Sequence, residues 1–345
     1  MSNRILKIGQ LDSLRAIAAL MVICHHFIPD YGLGHFSIGS LGVDIFFVIS
    51  SFLITTILLE QKKNINKKLL IIKNFIVKRT MRLFPAYYVF ISFFLFLMYF
   101  LKIYVWDSGN GIFYYTYTQN ILFYKEGWKG PQLNHLWTLA VEEQFYLLWP
   151  WFLIFLKNKS LIRALIIIIL STLLLKSFPS HQNWDMLLFY HFDSLGSGAL
   201  IALLLQEKGR SFFLKYNKFK IIVIIIALTI FATDVFYKLP YTLILISILL
   251  FSVSLVIGCY YNFTSIAGII LNLSLLRYLG TISYGLYLYH KPIPYLITLI
   301  INKMHIHVNN IISFFVSIIL SITIAHLSYH ILEKPFLKLK EKFDL

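Results

Sequence analysis

The sequence predicts an all-α fold: a polytopic transmembrane helix bundle of about ten spanning helices, with both termini cytoplasmic. Three observations predict it. Hydrophobic residues make up 59% of the 345 and charged residues 13%, with a mean hydropathy of +0.75; a soluble domain carries about 25% charged residues. Apolar runs near the ~20-residue length that a bilayer requires recur from one end of the chain to the other. Finally, the 31 Lys and Arg residues are unevenly distributed. With a cytoplasmic N-terminus and ten spans, 23 fall on the inner side, seven on or near the outer side, and Arg15 inside a span. That is the positive-inside pattern. The net charge of +16 is therefore topological, and nucleic acid is not expected as a partner. Membrane lipid is.

The expected spans are 12–29, 38–59, 85–105, 136–156, 161–178, 186–205, 219–237, 240–260, 279–300 and 311–332. The aromatic stretch Ile112 to Tyr124 fits either an extra span or an interfacial segment. Cys24 and Cys259 both lie in apolar stretches and form neither a disulfide framework nor a metal-ligand spacing, so no metal is expected. The first apolar run holds Arg15, His25 and His26 and ends without a small-residue cleavage site, so no cleavable signal peptide is expected.

Ionisable residues inside spans are costly, by about 2.5–3.5 kcal/mol on insertion scales, and mark function by default. In the first span, Arg15 and His26 are eleven residues apart. At 100° per residue they share a face, roughly 16 Å apart along the axis. His25 points about 80° away, and Asp12 is spaced to pair with Arg15. In the second span Asp44 stands near the outer end, where a carboxylate could fix the tautomer of an imidazole. In the fourth, His135, Thr138, Glu142, Tyr146 and Trp149 form one polar-aromatic stripe, with Glu143 turned about 100° from it. In the sixth, Asp193 precedes Gly196 and Gly198, small residues that allow close helix approach. In the ninth, Ser283, Tyr287 and His290 share a face with Tyr284 beside it, and Pro292 and Pro294 follow. In the tenth, His326, His330 and Glu333 share a face and suit a structural or gating role. Before the third span, Arg79 and Arg82 lie one helical turn apart. The chain has only seven Arg, and a guanidinium fork suits phosphate oxygens.

These motifs, taken in order, resemble the acyltransferase-3 family of integral membrane acyltransferases, whose members modify bacterial surface carbohydrates. Leu11 to Leu20, continuing to His26, resembles the family's arginine, ten residues, histidine signature. Gly42 to Ile54 resembles its second-helix motif, and Arg79, Arg82 and Pro85 its basic loop. His135 to Pro150 resembles the segment LWSLSVEEQFYLLWP, Ile282 to Pro292 the segment ISYxLYLxHxPI, and Glu333 to Phe336 the closing motif. Ser51 stands where the family usually has Gly, Thr138 where it has Ser, and Lys291 where Trp is common.

The resemblance implies a single transmembrane acyltransferase domain over 1–345, with no fused extracytoplasmic domain. It implies transfer of an acyl group, commonly acetyl, from cytoplasmic acyl-CoA (acetyl-CoA) to a hydroxyl of a cell-surface carbohydrate or glycolipid, in the cytoplasmic membrane. His26 would be the general base, oriented by Asp44 or Glu142. Arg15, Arg79 and Arg82 would bind the CoA, and Ser283, Tyr284, His290, Asp193 and His25 the acceptor or thioester. A continuous cavity would run from the cytoplasm to His26. An acyl-His26 intermediate and direct transfer are both compatible with these residues, as is a homodimer. The alternative reading is a proton-coupled transporter or flippase that uses the same intramembrane groups as a relay.

Overall fold

The computed structural model describes residues 8–27, 35–64, 67–101, 110–128, 130, 132–178, 183–217, 219–305 and 309–340. Every regular element among them is helical. The α-helices are α1 (Gly9–Phe27), α2 (Ile38–Asn64), α3 (Lys68–Phe100), α4 (Gly111–Tyr115), α5 (Gln119–Glu126), α6 (Trp137–Phe155), α7 (Asn158–Ser177), α8 (Phe192–Lys208) and α9 (Arg210–Asn217). They continue with α10 (Lys220–Tyr237), α11 (Tyr241–Tyr260), α12 (Ile266–Leu271), α13 (Ser274–Thr281), α14 (Ser283–Tyr289), α15 (Pro292–Lys303), α16 (Asn310–Ser328) and α17 (Lys334–Lys340).

Among the described residues, seven helical stretches are long and apolar enough to cross a membrane: 38–63, 68–100, 158–177, 188–208, 220–237, 241–260 and 311–339. They coincide with seven of the ten expected spans. The other three are helical as well. Helices α1 and α6 carry the ionisable residues singled out above, which dilute their apolar content. The ninth segment is broken into α13, α14 and α15. The ends of the first and third expected spans, and both chain termini, lie outside the described residues. The stretch Ile112 to Tyr124 is not one helix but two short ones, α4 and α5, hinged at Tyr117 with φ +52°.

The basic approach to the third span is also helical. Only residues 65–67 separate α2 from α3, so Arg79 and Arg82 sit on a continuous helix rather than in a loop. Pro85, inside α3, removes the N–H that the Met81 carbonyl would otherwise receive. Glycines at φ +78° close α5 and α8, at Gly127 and Gly209. Positive φ with an extended ψ is a conformation that glycine alone adopts without a side-chain penalty.

The chain divides into two compact units. The first comprises 1–72, 148–181 and 188–281, and the second 73–147, 182–187 and 282–345. In the first unit, α2 packs against α8, α1 and α11, and α1 also packs on α13. Small residues allow these approaches. A Cβ on Gly198 of α8 would overlap Ser51 Oγ and Val48 O of α2, and one on Gly280 of α13 would overlap Asp12 O of α1. One on Gly42 of α2 would lie 2.7 Å from Ala18 O of α1. Lys62 closes α6 by donating to Leu153 O at 2.6 Å and Leu156 O at 3.1 Å, a cation placed at the negative end of a helix dipole. In the second unit, α14 and α15 pack on α16. The hinge residue Tyr117 stacks on Tyr87 of α3 at 4.2 Å and on Phe84 at 5.4 Å. The hydroxyls of Tyr87 and Tyr88 donate to Tyr114 O at 2.9 Å and Tyr115 O at 3.0 Å.

Candidate active site

Five of the residues singled out by sequence, Arg15, His25, His26, Asp44 and Asp193, fall in the first unit. The other six, Arg79, Arg82, Glu142, Ser283, Tyr284 and His290, fall in the second.

In the first unit, α1 runs unbroken through both Arg15 and His26, so the shared face inferred from their spacing holds. The Asp12–Arg15 pair that the spacing allowed does not form; among the described residues no ion pair joins them. The ring of His25 lies against Gly39 of α2, where an added Cβ would come within 2.5 Å of it. His25 thus packs α1 on α2, and its ring centroid is 5.5 Å from that of His26.

Asp44 belongs to a polar cluster. It accepts a hydrogen bond from Ser194 Oγ, and Lys176 and Asp193 are the charged groups that face it. Lys176 Nζ donates to Asp193 Oδ2 at 2.6 Å, with both side chains buried, and lies over the Tyr190 ring at 5.2 Å. Sequence reasoning missed Lys176 and Ser194. Lys176 was one more basic residue near a span end, and only the docking of α7 on α8 turns it inward.

The second unit holds a cavity of about 130 Å³. Arg79, Thr80, Tyr88, Tyr117, Glu143 and Tyr146 contribute to its wall. The Arg79 guanidinium sits 4.5 Å above the Tyr146 ring, a favourable cation–π placement. Glu143 is buried at 8% exposure, and its Oε1 accepts no hydrogen bond. Arg79 is the cation facing it. Tyr284 stands beside Glu143 and donates to Leu83 O at 3.0 Å. The structure therefore brings Arg79 and Tyr284 together around Glu143. Glu142 is half-buried, and the stripe residues on its N-terminal side, His135 and Thr138, meet α14. On that stripe Thr138 Oγ1 is 2.7 Å from Tyr287 Oη, which also donates to His135 O at 3.1 Å. Tyr117 holds a left-handed backbone with an aromatic side chain, a strained conformation that collects at functional sites.

His290 is fully buried. Its Nδ1 lies 2.7 Å from Tyr287 O, and its ring is 4.8 Å from that of His135. It braces the break between α14 and α15. Lys291, at the position where the family commonly has Trp, hydrogen-bonds Asn134. The Ser283 hydroxyl is buried without a hydrogen-bond partner. Downstream, the rings of His326 and His330 lie 4.6 Å apart, tilted by 48°, where a π-helical turn, Tyr329–Glu333, links α16 to α17. Among the described residues no cluster of His, Cys, Asp and Glu is arranged to hold a metal ion.

Comparison with known proteins agrees with these motifs. The model of the acyltransferase domain in the acyltransferase-3 family matches residues 8–330. YrhL of Bacillus subtilis, named as a candidate peptidoglycan O-acetyltransferase, is 32% identical across 94% of this chain and 54% of its own. The peptidoglycan O-acetyltransferase OatA of Listeria monocytogenes is 31% identical across 96% of this chain and 56% of its own. The O-acetyltransferase OatA of Staphylococcus aureus is 29% identical across 95% and 57%. The chain spans about half the length of the curated relatives it matches. No solved structure matches it.

Proposed function

The chain belongs to the acyltransferase-3 family of multi-pass membrane proteins, and from that premise we propose that it transfers an acetyl group from cytoplasmic acetyl-CoA to a hydroxyl of peptidoglycan. One observation carries this reading: nearly the whole chain aligns with two proteins named for peptidoglycan O-acetylation.

In this mechanism the basic first half of α3, with Lys73, Lys78 and Arg82, receives the donor's phosphates. Arg forks make charge-assisted bonds to phosphate oxygens. His26 is the general base. It takes the proton of the acceptor hydroxyl as that oxygen attacks the thioester carbon. The carbon–sulfur bond then breaks, and the departing thiolate recovers the proton from His26. Arg15, on the face of α1 that carries His26, contributes positive charge along the donor's path. The cluster of Asp44, Ser194, Lys176 and Asp193 braces α2, α7 and α8 in the unit that carries His26. The test is direct. Purified protein is incubated with radiolabelled acetyl-CoA and peptidoglycan fragments, and the labelled product is identified. Label on a glycan hydroxyl is expected. No transfer from acetyl-CoA to any glycan would overturn the reading and favour a transporter.

A further inference from the structure

We propose that the cavity bounded by Arg79, Glu143 and Tyr146 receives an amide of the donor's pantetheine arm, and not a phosphate. The inference rests on acetyl-CoA being the donor. It begins from Glu143. A carboxylate at 8% exposure whose Oε1 accepts no hydrogen bond is costly to bury. It lines a cavity that also holds a guanidinium, so a ligand with an N–H or O–H donor would relieve it. Arg79, stacked on Tyr146, offers in-plane N–H groups to an acceptor.

Charge decides what that ligand is. Arg79 and Glu143 face each other across the same cavity. A phosphate there would bury a doubly charged anion in a largely aromatic cavity beside a carboxyl side chain, a desolvation cost that one guanidinium does not offset. A neutral group with one donor and one acceptor satisfies both walls. An amide is such a group, and the pantetheine arm carries two.

Size and surroundings point the same way. The cavity, about 130 Å³, is wide enough for a thin arm. Its other walls are largely aromatic, Phe84, Tyr88, Tyr115 and Tyr117 among them, and a planar amide packs well on ring faces. Lys73 and Lys78 lie on the same helix toward its start, and Arg82 lies one turn beyond Arg79. The phosphates thus have cations of their own close to the cavity.

The experiment measures binding to the full chain in detergent by calorimetry. The probes are acetyl-CoA, S-acetyl-pantetheine, adenosine 3′,5′-bisphosphate and a peptidoglycan disaccharide. Glu143→Gln and Arg79→Lys should each weaken S-acetyl-pantetheine and acetyl-CoA by a common factor of roughly tenfold, the loss of one charge-assisted bond. Both should leave the bisphosphate unchanged. Two variants guard against one that fails to fold, and retained bisphosphate binding reports folding in each. The proposal is overturned if Glu143→Gln tightens the bisphosphate, which would mark a phosphate site. It is equally overturned if the variants weaken only the disaccharide, or leave S-acetyl-pantetheine unaffected. If the wild-type chain binds neither acetyl-CoA nor S-acetyl-pantetheine, the donor reading itself has failed.

Discussion

At the scale of single residues, His26 and Lys176 have sharply different expected phenotypes. His26→Ala should reduce acetyl transfer by about 10²–10⁴-fold, the usual contribution of a general base, while expression and melting temperature stay near wild type. His25→Ala should do the reverse: a lower melting temperature from the lost packing on Gly39, with transfer largely kept. An essential His25 and a dispensable His26, read by labelled-acetate release, would contradict the assignment. Lys176→Met leaves Asp193 as an unpaired buried carboxylate and should cost about 3–5 kcal/mol. The double variant Lys176→Met, Asp193→Asn should recover part of that loss in thermal unfolding. The sequence made the first pair legible, because helical register is local: eleven residues fix the angle between Arg15 and His26. It did not make Lys176 or Glu143 legible. A lysine near a span end reads as a topology signal, and Glu143 reads as a residue turned about 100° from the Glu142 stripe. That Glu143 meets Arg79 depends on where α3 lies, and no local period encodes that.

At the scale of elements, the close approach of α2 and α8 is set by a pairing between a departure and a glycine. Ser51 stands where relatives of this family usually have Gly, and its hydroxyl turns back to Phe47 O at 2.8 Å. The opposing residue of α8 is Gly198, where any Cβ would overlap Ser51 Oγ and Val48 O. Gly198→Ala should therefore destabilise by about 1–3 kcal/mol, the cost of overpacking, and combining it with Ser51→Gly should restore part of it. Gly196→Ala is expected to be milder. Its nearest neighbour is a flexible Ile169 side chain at 3.1 Å. The two helices α4 and α5 show the opposite case. Their aromatic run is continuous in sequence, and no Gly or Pro separates them. The break at Tyr117 comes from the stacking of that ring on Tyr87 and Phe84, a tertiary contact that outweighs local helix preference.

At the scale of the whole molecule, the remaining question is which helices cross. Seven pass on length and apolar content alone, but seven crossings do not reproduce the charge distribution. If α6 did not cross between α3 and α7, Lys125 and the basic turn at Lys157 and Lys159 would lie on one side. The same holds for α1 and for α14 with α15. Counting all three restores alternation. The groups at Lys62–Lys78, Lys157–Arg163 and Lys208–Lys220 then face the cytoplasm, and Lys125 and Lys238 face outward, as the positive-inside rule favours. The polar residues that lower the hydropathy of α1 and α6 are the ones assigned to chemistry, and a span can carry them where they face protein or a water-filled cavity. The prediction follows for a variant in which Cys24 and Cys259 are first replaced by Ser. Single cysteines are then introduced at the exposed positions Lys63, Lys125, Lys208 and Lys238. In intact cells a membrane-impermeant maleimide should label the cysteines at 125 and 238, and reach those at 63 and 208 only after lysis. Labelling of 63 and 208 from outside would put the basic start of α3 on the wrong side of the membrane. Cytoplasmic acetyl-CoA could not then reach Arg82, and the donor would have to enter from the other face.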